Sequence, residues 1–312
     1  MKSFAIRLCL SVAFLAASLG AYADIQPGGF PGISGMAKLS DDAYLAVHDV
    51  KVKENPDEEG ARLSLLTFRP EGDIACTPVN VDWSALKGGR PNDLESICAI
   101  AGQPGEYVAV ESGYLKKAHG RIIHLKATLD SGEAVVSVLG MVRYLPNLPD
   151  GPRFEDIEGA QTFQRDGDTY LLLTKRGKDE KKARLIWGKL DWVRPVFKVA
   201  GDYKVETPFA KWDVKGEKRY ASDVLIVENE IYISSCNDPG DDGPFSSAVY
   251  HVGAIRSTGQ LIHLIDSEQS EVARYEGHKV EALAPGHGPR GLWVAATDDE
   301  NFKGSIFPTS KP

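Results

Sequence analysis

Asp156-Ile-Glu-Gly-Ala160 is followed by Tyr170-Leu-Leu-Leu-Thr-Lys175, and this two-part pattern decides the fold. A small or acidic residue opens a short apolar run, a turn follows, and an aromatic residue opens a second apolar run that ends in polar residues. The pattern recurs at intervals of about sixty residues, which indicates stacked supersecondary units. The other copies are Ser34-Gly-Met-Ala37 with Tyr44-Leu-Ala-Val-His-Asp49, Asp93-Leu-Glu-Ser-Ile97 with Tyr107-Val-Ala-Val-Glu111, Ser222-Asp-Val-Leu-Ile226 with Tyr232-Ile-Ser-Ser-Cys236, and Val280-Glu-Ala-Leu-Ala284 with Trp293-Val-Ala-Ala-Thr-Asp298.

The repeats predict an all-β protein, a β-propeller of five blades, each a four-stranded antiparallel sheet. The apolar runs are short, rich in β-branched and aromatic residues, and bounded by Gly, Pro, Asp or Asn, as strands are. The last unit has only three strands, so we expect Asp24–Phe30 to donate the missing one and remove the open edge. Six blades are the alternative, if a connection such as Lys204–Phe209 contains further strands.

The first 23 residues have the pattern of a secretory signal peptide. A basic start is followed by an apolar stretch from Leu8 to Leu19 and by the small-x-small site Ala21-Tyr-Ala23. The apolar stretch is shorter than the ~20 residues that span a bilayer, and no other segment approaches that length. We therefore expect cleavage near Ala23, a single propeller domain over residues 24–312, and a periplasmic or secreted monomer without a membrane span.

Charge and cysteine content narrow the range of partners. Lys and Arg total 36 and Asp and Glu total 44, and a net charge of −8 argues against a nucleic-acid partner. Beyond the leader the chain has Cys76, Cys98 and Cys236. In an oxidising compartment either Cys76 and Cys98 form a disulfide or all three remain isolated thiols.

Polar residues flank the apolar runs at the positions that a propeller brings to one end of its central channel. Neighbouring strands run antiparallel, so the start of each first strand and the end of each second strand meet at this mouth. Like charges there repel, by roughly 3 kcal/mol per pair at about 5 Å. Ca²⁺ accepts six to eight oxygen ligands and would relieve that repulsion, although each acid could instead cap its own loop. The candidate calcium ligands are Glu95, Glu158, Asp223, Glu281, Asn237 and Asp298, and the candidate catalytic residues are His48, Asp49 and Glu111.

Two segments carry a family resemblance. Asn92-Asp-Leu-Glu-Ser96 and Glu155-Asp-Ile-Glu-Gly159 resemble the Asp-hydrophobic-Glu-Gly phrase of exported phytase-like (esterase-like phytase) propellers, and Gly32-Ile-Ser-Gly-Met36 is similar to the first blade of that group. Ser96 and the Ser222-Asp223 pair depart from the phrase. The resemblance implies calcium-assisted cleavage of phosphate esters, with a small phosphorylated substrate bound by Lys116, His119, Lys175 and Arg176.

Two other functions are compatible with the same fold. One is a non-catalytic exported propeller that binds a protein or polymer partner on one face. The other is a lactone or ester hydrolase that uses the same central metal.

Overall fold

Five antiparallel sheets are arranged around a central axis, which confirms the predicted five-bladed β-propeller. The computed structural model describes residues 26–50, 61–113, 120–143, 155–177, 182–205, 217–265, 270–286 and 291–308. The first strand of each blade packs against the first strand of the next, so these five strands line the axis. Among the described residues, no helix is long and apolar enough to cross a membrane.

The first three blades are regular four-stranded meanders. Their strands follow chain order from the axis outward, each paired antiparallel with the next. Blade 1 contains β2 (Gly35–Lys38), β3 (Ala43–Val47), β4 (Leu63–Phe68) and β5 (Ile74–Val79); blade 2 contains β6 (Leu94–Ala99), β7 (Glu106–Glu111), β8 (Arg121–Asp130) and β9 (Glu133–Arg143); blade 3 contains β10 (Ile157–Arg165), β11 (Asp168–Lys175), β12 (Ala183–Asp191) and β13 (Val196–Val205).

The last two blades differ from this plan at their outer edges. In blade 4 two short strands share the outer position, since both pair with β16. In blade 5 the outer strand is β1, so the first described segment of the chain closes the ring as predicted. Blade 4 contains β14 (Glu217–Val227), β15 (Glu230–Asp238), β16 (Ser246–Ile255), β17 (Ile262–Leu264) and β18 (Ser270–Glu276); blade 5 contains β19 (Val280–Pro285), β20 (Trp293–Thr297), β21 (Gly304–Pro308) and β1 (Gln26–Phe30).

The hydrophobic core is divided into five clusters, one between each pair of neighbouring blades. Each blade therefore buries apolar side chains on both faces, which is why its inner strands read as almost continuous apolar runs. In blades 1 and 2 the aromatic residue near the start of the second strand joins the blade to the one before it. Tyr107 Oη donates to the carbonyl of Lys38 at 3.2 Å, and Tyr44 Oη donates to that of Pro285 at 3.1 Å across the ring closure.

The three cysteines are free thiols. Cys98 and Cys236 are buried, and Cys76 is partly exposed on the outer strand of blade 1. The sequence allows either a Cys76–Cys98 disulfide or three isolated thiols, and the structure has the isolated thiols. The closing strand is also consistent with its sequence, because only an outer edge strand tolerates the proline at position 27.

Closure of the ring can be tested at Phe30, which is 6% exposed and packs in the core cluster between blades 5 and 1. Phe30→Ala should lower the free energy of unfolding by about 3–5 kcal/mol, because removal of a buried phenyl ring leaves a cavity. Phe302→Ala is the matched control, since Phe302 is 58% exposed. Urea unfolding followed by circular dichroism measures both. Equal, small losses in the two variants would show that β1 does not hold the ring closed.

Candidate functional site

Three repeated glutamates are aimed into the channel mouth by a β-bulge in the first strand of their blades. The strand pairing skips one residue between Leu94 and Ser96, between Ile157 and Gly159, and between Val280 and Ala282. The skipped residues are Glu95, Glu158 and Glu281, and all three side chains are buried. A bulge leaves its extra residue outside the ladder and redirects its side chain. The repeated acid is thus a built feature of the mouth.

Blade 4 brings an arginine to this position in the ring. Arg219 lies in the irregular part of β14 and places its guanidinium between three blades. Its Nη1 pairs with Glu281 and lies 3.5 Å from Glu158 Oε2, and its Nη2 donates to Asp238 Oδ2 at 2.7 Å. Burial lowers the pKa of Arg219, but Glu281 and Glu158 raise it to well above its usual value. The guanidinium is therefore a permanent buried cation.

Two further bases continue the alternation of charge around the mouth. Arg176 donates to Glu158 Oε1 from Nε at 2.9 Å and pairs with it through Nη2 at 2.8 Å. Lys279, which is 1% exposed, lies 3.5 Å from Glu281 Oε1 and also pairs with Glu300. Burial raises the pKa of the Glu158 carboxyl, and its two arginine partners oppose that rise. Glu158 and Glu281 are neutralised by protein cations, so the proposed calcium ligand set is revised to leave them out.

The other end of the mouth holds a cluster of carboxylates. Asp49, Asp93 and Glu95 each place one oxygen within 4.8 Å of the others. Asp93 and Glu95 are buried and Asp49 is half-buried. Asp93 adopts a left-handed backbone conformation, with φ of 62°, directly before the bulge. The structure thus brings two predicted residues, Asp49 and Glu95, together with an aspartate that the sequence analysis does not single out.

Asp298 adjoins this cluster from blade 5. Its carboxyl is 7% exposed, and a Cβ atom on Gly32 would collide with it, so glycine is needed there. Burial and the charges of Glu281 and Asp49 raise the pKa of Asp298 to about 7, while Lys279 opposes the rise. Asp298 therefore exchanges a proton near neutral pH, as a general acid or base must.

The side chains of Asp223 and Asn237 form hydrogen bonds to the protein backbone. Asp223 Oδ2 accepts a hydrogen bond from the backbone N–H of Leu283 in the next blade at 2.6 Å. Burial raises the pKa of Asp223 to well above its usual range, against the opposing backbone hydrogen bonds. Asn237 Nδ2 donates to the Pro244 carbonyl at 3.0 Å and holds the loop after β15. We therefore leave both out of the revised calcium ligand set.

Glu111, predicted as catalytic, forms a fully buried ion pair. Its Oε1 lies 2.6 Å from Arg121 Nη2, and both side chains are 0% exposed. The same carboxylate accepts backbone N–H groups of Asn92, Gly120 and Arg121 at 2.9–3.0 Å. Arg121 in turn donates to the carbonyls of Gly89 and Arg90. Glu111 fixes the loops of blade 2, and we leave it out of the proposed active site.

His48 is also fixed by hydrogen bonds rather than open to a substrate. Its Nδ1 lies 2.6 Å from the Gly32 carbonyl oxygen and its Nε2 lies 2.9 Å from Ser64 Oγ. Burial lowers its pKa, so the ring is neutral at neutral pH. His48 positions Gly32 against Asp298. Lys175 is 19% exposed at the mouth, 3.9 Å from Glu155, whereas Lys116 and His119 lie outside the described residues.

Two residues of the site, Arg219 and Lys279, are not predicted from the repeated phrase. Lys279 lies just before Val280-Glu281, and Arg219 lies three residues before Ser222, so both precede the repeated phrase. The available signal is a basic residue shortly before the apolar run of the blade. The loss of the repeated glutamate from blade 4 is the second one, because an acid ring needs a compensating charge somewhere.

No protein-family model matches the sequence, and no curated protein matches it either. Solved structures match in fold. An exo-β-1,3-galactanase from Clostridium thermocellum superposes with a TM-score of 0.52 at 10% identity, over 90% of this chain and 61% of that one. An exo-1,5-α-L-arabinanase from a bovine ruminal metagenomic library gives a TM-score of 0.48 at 12% identity, over 91% and 94% of the two chains.

A third match is a protein from Bacteroides uniformis that is provisionally assigned as a 6-phosphogluconolactonase. Its TM-score is 0.41 at 14% identity, over 89% of this chain and 81% of that one. At such identities the similarity is one of fold alone. The resemblance to the phytase-like group stays a prediction from sequence motifs.

The pKa of Asp298 predicts a specific pH dependence of stability. Its native pKa of about 7 exceeds the usual aspartate value of 3.8, so the native state binds more protons than the unfolded state between these values. Asp298 therefore lowers the free energy of unfolding as the pH rises from about 4 to 7, by at most about 1.4 kcal/mol per pH unit. Asp298→Asn should gain stability relative to wild type across this window.

Urea unfolding at pH 5 and pH 8 measures the difference. The matched control is Asp41→Asn, at a side chain that is 60% exposed. A stability difference between Asp298→Asn and wild type that is the same at both pH values would contradict the raised pKa.

Proposed function

We propose that the channel mouth is a hydrolase active site that depends on a divalent cation, calcium by its donor set, and that cleaves phosphate esters. The observation that supports this most directly is the cluster of Asp49, Asp93 and Glu95, whose carboxylate oxygens lie within 4.8 Å of one another. Asp298, with a pKa near 7, adjoins the cluster.

The residues of the cluster fit calcium. Three carboxylates offer only oxygen atoms, which hard cations prefer, and the cluster contains none of the Cys or His ligands typical of zinc. Calcium prefers six to eight oxygen ligands, so water or substrate would supply the rest. When bound, such a cation polarises a phosphoryl oxygen and lowers the pKa of a bound water.

The charge of the mouth explains why a phosphate substrate would require the cation. Arg176, Arg219 and Lys279 are already paired with carboxylates, and carboxylates outnumber bases among these residues. Phosphate would therefore be repelled by the protein alone. Lys175, with its Nζ 3.9 Å from Glu155 Oε1 and its side chain 19% exposed, is the base best placed to contact a phosphate oxygen.

Proton transfer is assigned to Asp298. A group with a pKa near the working pH is most effective in general acid–base catalysis. Burial and the charges of Glu281 and Asp49 supply that pKa in the cation-free protein; a cation bound by Asp49 would lower it and favour the ionised form, a general base. Arg176 orients Glu158 and its charge acts on Glu95, so it links the ion pairs to the cluster. Removal of Arg176 would leave the buried Glu158 without its closest cation, so loss of stability would accompany Arg176→Ala.

A second candidate is hydrolysis of a glycosidic bond, as in the galactanase whose fold this chain shares. One observation favours it. Asp298 and Asp49 interact electrostatically, and the raised pKa of Asp298 provides the proton donor that such a pair of carboxylates needs. This reaction needs no cation, because a neutral sugar is not repelled by the acidic mouth.

The two candidates are separated by their response to a chelator. Wild type should hydrolyse p-nitrophenyl phosphate or bis(p-nitrophenyl) phosphate, lose the activity with EDTA and regain it with calcium. Glu95→Gln should lower kcat/KM at least tenfold at low calcium, because one ligand of three is weakened. Glu133→Gln is the matched control, since Glu133 is exposed at the start of β9, the outer strand of the same blade.

Hydrolysis of p-nitrophenyl arabinofuranoside or galactoside that is unaffected by EDTA would favour the second candidate. Absence of activity on all four substrates, with calcium present, would contradict both and leave a binding module. Circular dichroism of each variant shows whether a loss of rate comes from unfolding.

A further inference from the structure

A cavity of about 480 Å³ lies between blades 2 and 3, at the end of the propeller opposite the carboxylate mouth. Glu106 begins β7 and Glu111 ends it, so the cavity near Glu106 and the mouth near Glu111 lie at opposite ends of the blade. Its volume is in the range of small-molecule sites, about 300–1,000 Å³. Its walls are the β6–β7 hairpin, the β10–β11 turn and the β12–β13 turn.

An aromatic pair forms one wall. His124 and Trp192 stack with ring centroids 4.3 Å apart and an angle of 17° between their planes. His124 Nε2 lies 2.6 Å from Glu106 Oε2, which fixes the imidazole in place. Within the described part of the chain, the buried indole Nε1 of Trp192 has no hydrogen-bond partner. An unpartnered buried donor costs about 1–3 kcal/mol.

The charged groups of the cavity are paired with one another. Lys189 Nζ lies 2.5 Å from Asp168 Oδ1, and Glu106 is paired with His124. Asp191 Oδ1 accepts the backbone N–H groups of Val193 and Arg194 at 3.0 Å. Because each charge already has a local partner, the cavity exerts little net attraction on an ion. It still presents hydrogen-bond donors and acceptors side by side, together with the amide of Gln103 and the hydroxyl of Thr169.

We propose that this cavity binds a neutral polyhydroxylated ligand, a sugar unit of a saccharide. A hydroxyl group donates and accepts a hydrogen bond at once, so adjacent hydroxyls match the alternation of Lys189, Asp168 and Thr169. The aromatic wall packs against the carbon skeleton, and the exposed Val193, 94% accessible, extends the apolar rim. This site is independent of the hydrolase at the mouth, and it would hold a saccharide on the opposite face.

The test is saturation-transfer NMR and calorimetric titration of the full chain with maltose, cellobiose, lactose and sucrose. We expect saturable millimolar binding of at least one of them. Lys189→Met and Thr169→Val should each weaken it at least fivefold by removing hydrogen-bond donors from the wall. Lys204→Met, at an exposed lysine near the far end of β13, should leave the affinity unchanged, as should Glu95→Gln at the mouth.

Two results would overturn the proposal. One is the absence of saturable binding of any of the four disaccharides to folded wild type. The other is binding that is lost in Glu95→Gln and retained in Lys189→Met and Thr169→Val, which would move the sugar to the mouth. Inorganic phosphate, titrated in parallel, should not compete with the sugar if the paired charges leave no anion site.

Discussion

The buried guanidinium of Arg219 is the interaction on which the arrangement of the mouth depends. It pairs with Asp238 of its own blade and with Glu158 and Glu281 of the blades on either side. Three acids packed around the axis without it would be destabilised by burial and by mutual repulsion. Arg219 forms ion pairs with all three acids and thereby links blades 3, 4 and 5 at the channel.

This constraint divides the mouth into two parts with different chemistry. Around Arg219, Arg176 and Lys279 the acids are neutralised, and their side chains have structural roles. On the side of blades 1 and 2, Asp49, Asp93 and Glu95 converge on one another, with Asp298 beside them. We infer that the first part holds the ring while the second part is left for a ligand that the carboxylates bind.

Much of the fold follows from the sequence because every blade repeats the same packing problem. Each second strand carries an aromatic residue near its start, and in blades 1, 2 and 5 this residue, Tyr44, Tyr107 or Trp293, is buried. The closing strand is predictable from the incomplete last unit. The two outer strands of blade 4 are not, because Ser270–Glu276 lies outside the repeated phrase.

The site is less accessible to prediction. The sequence places acids at the mouth, but it does not show which of them a neighbouring blade neutralises. That outcome depends on Arg219, which reaches across blade boundaries to acids about sixty positions away. The roles of Glu111 and His48 likewise depend on loops that wrap around them, such as the carbonyls bound by Arg121. Local sequence carries no record of such contacts.

Anomalous diffraction from crystals grown in calcium tests the central claim most directly, because it locates the cation without assuming an activity. The account predicts one strong peak bound by Asp49, Asp93 and Glu95, with Arg219 still paired with Glu158 and Glu281. A peak between Glu158 and Glu281 with Arg219 displaced, or none at the three carboxylates in saturating calcium, would contradict it.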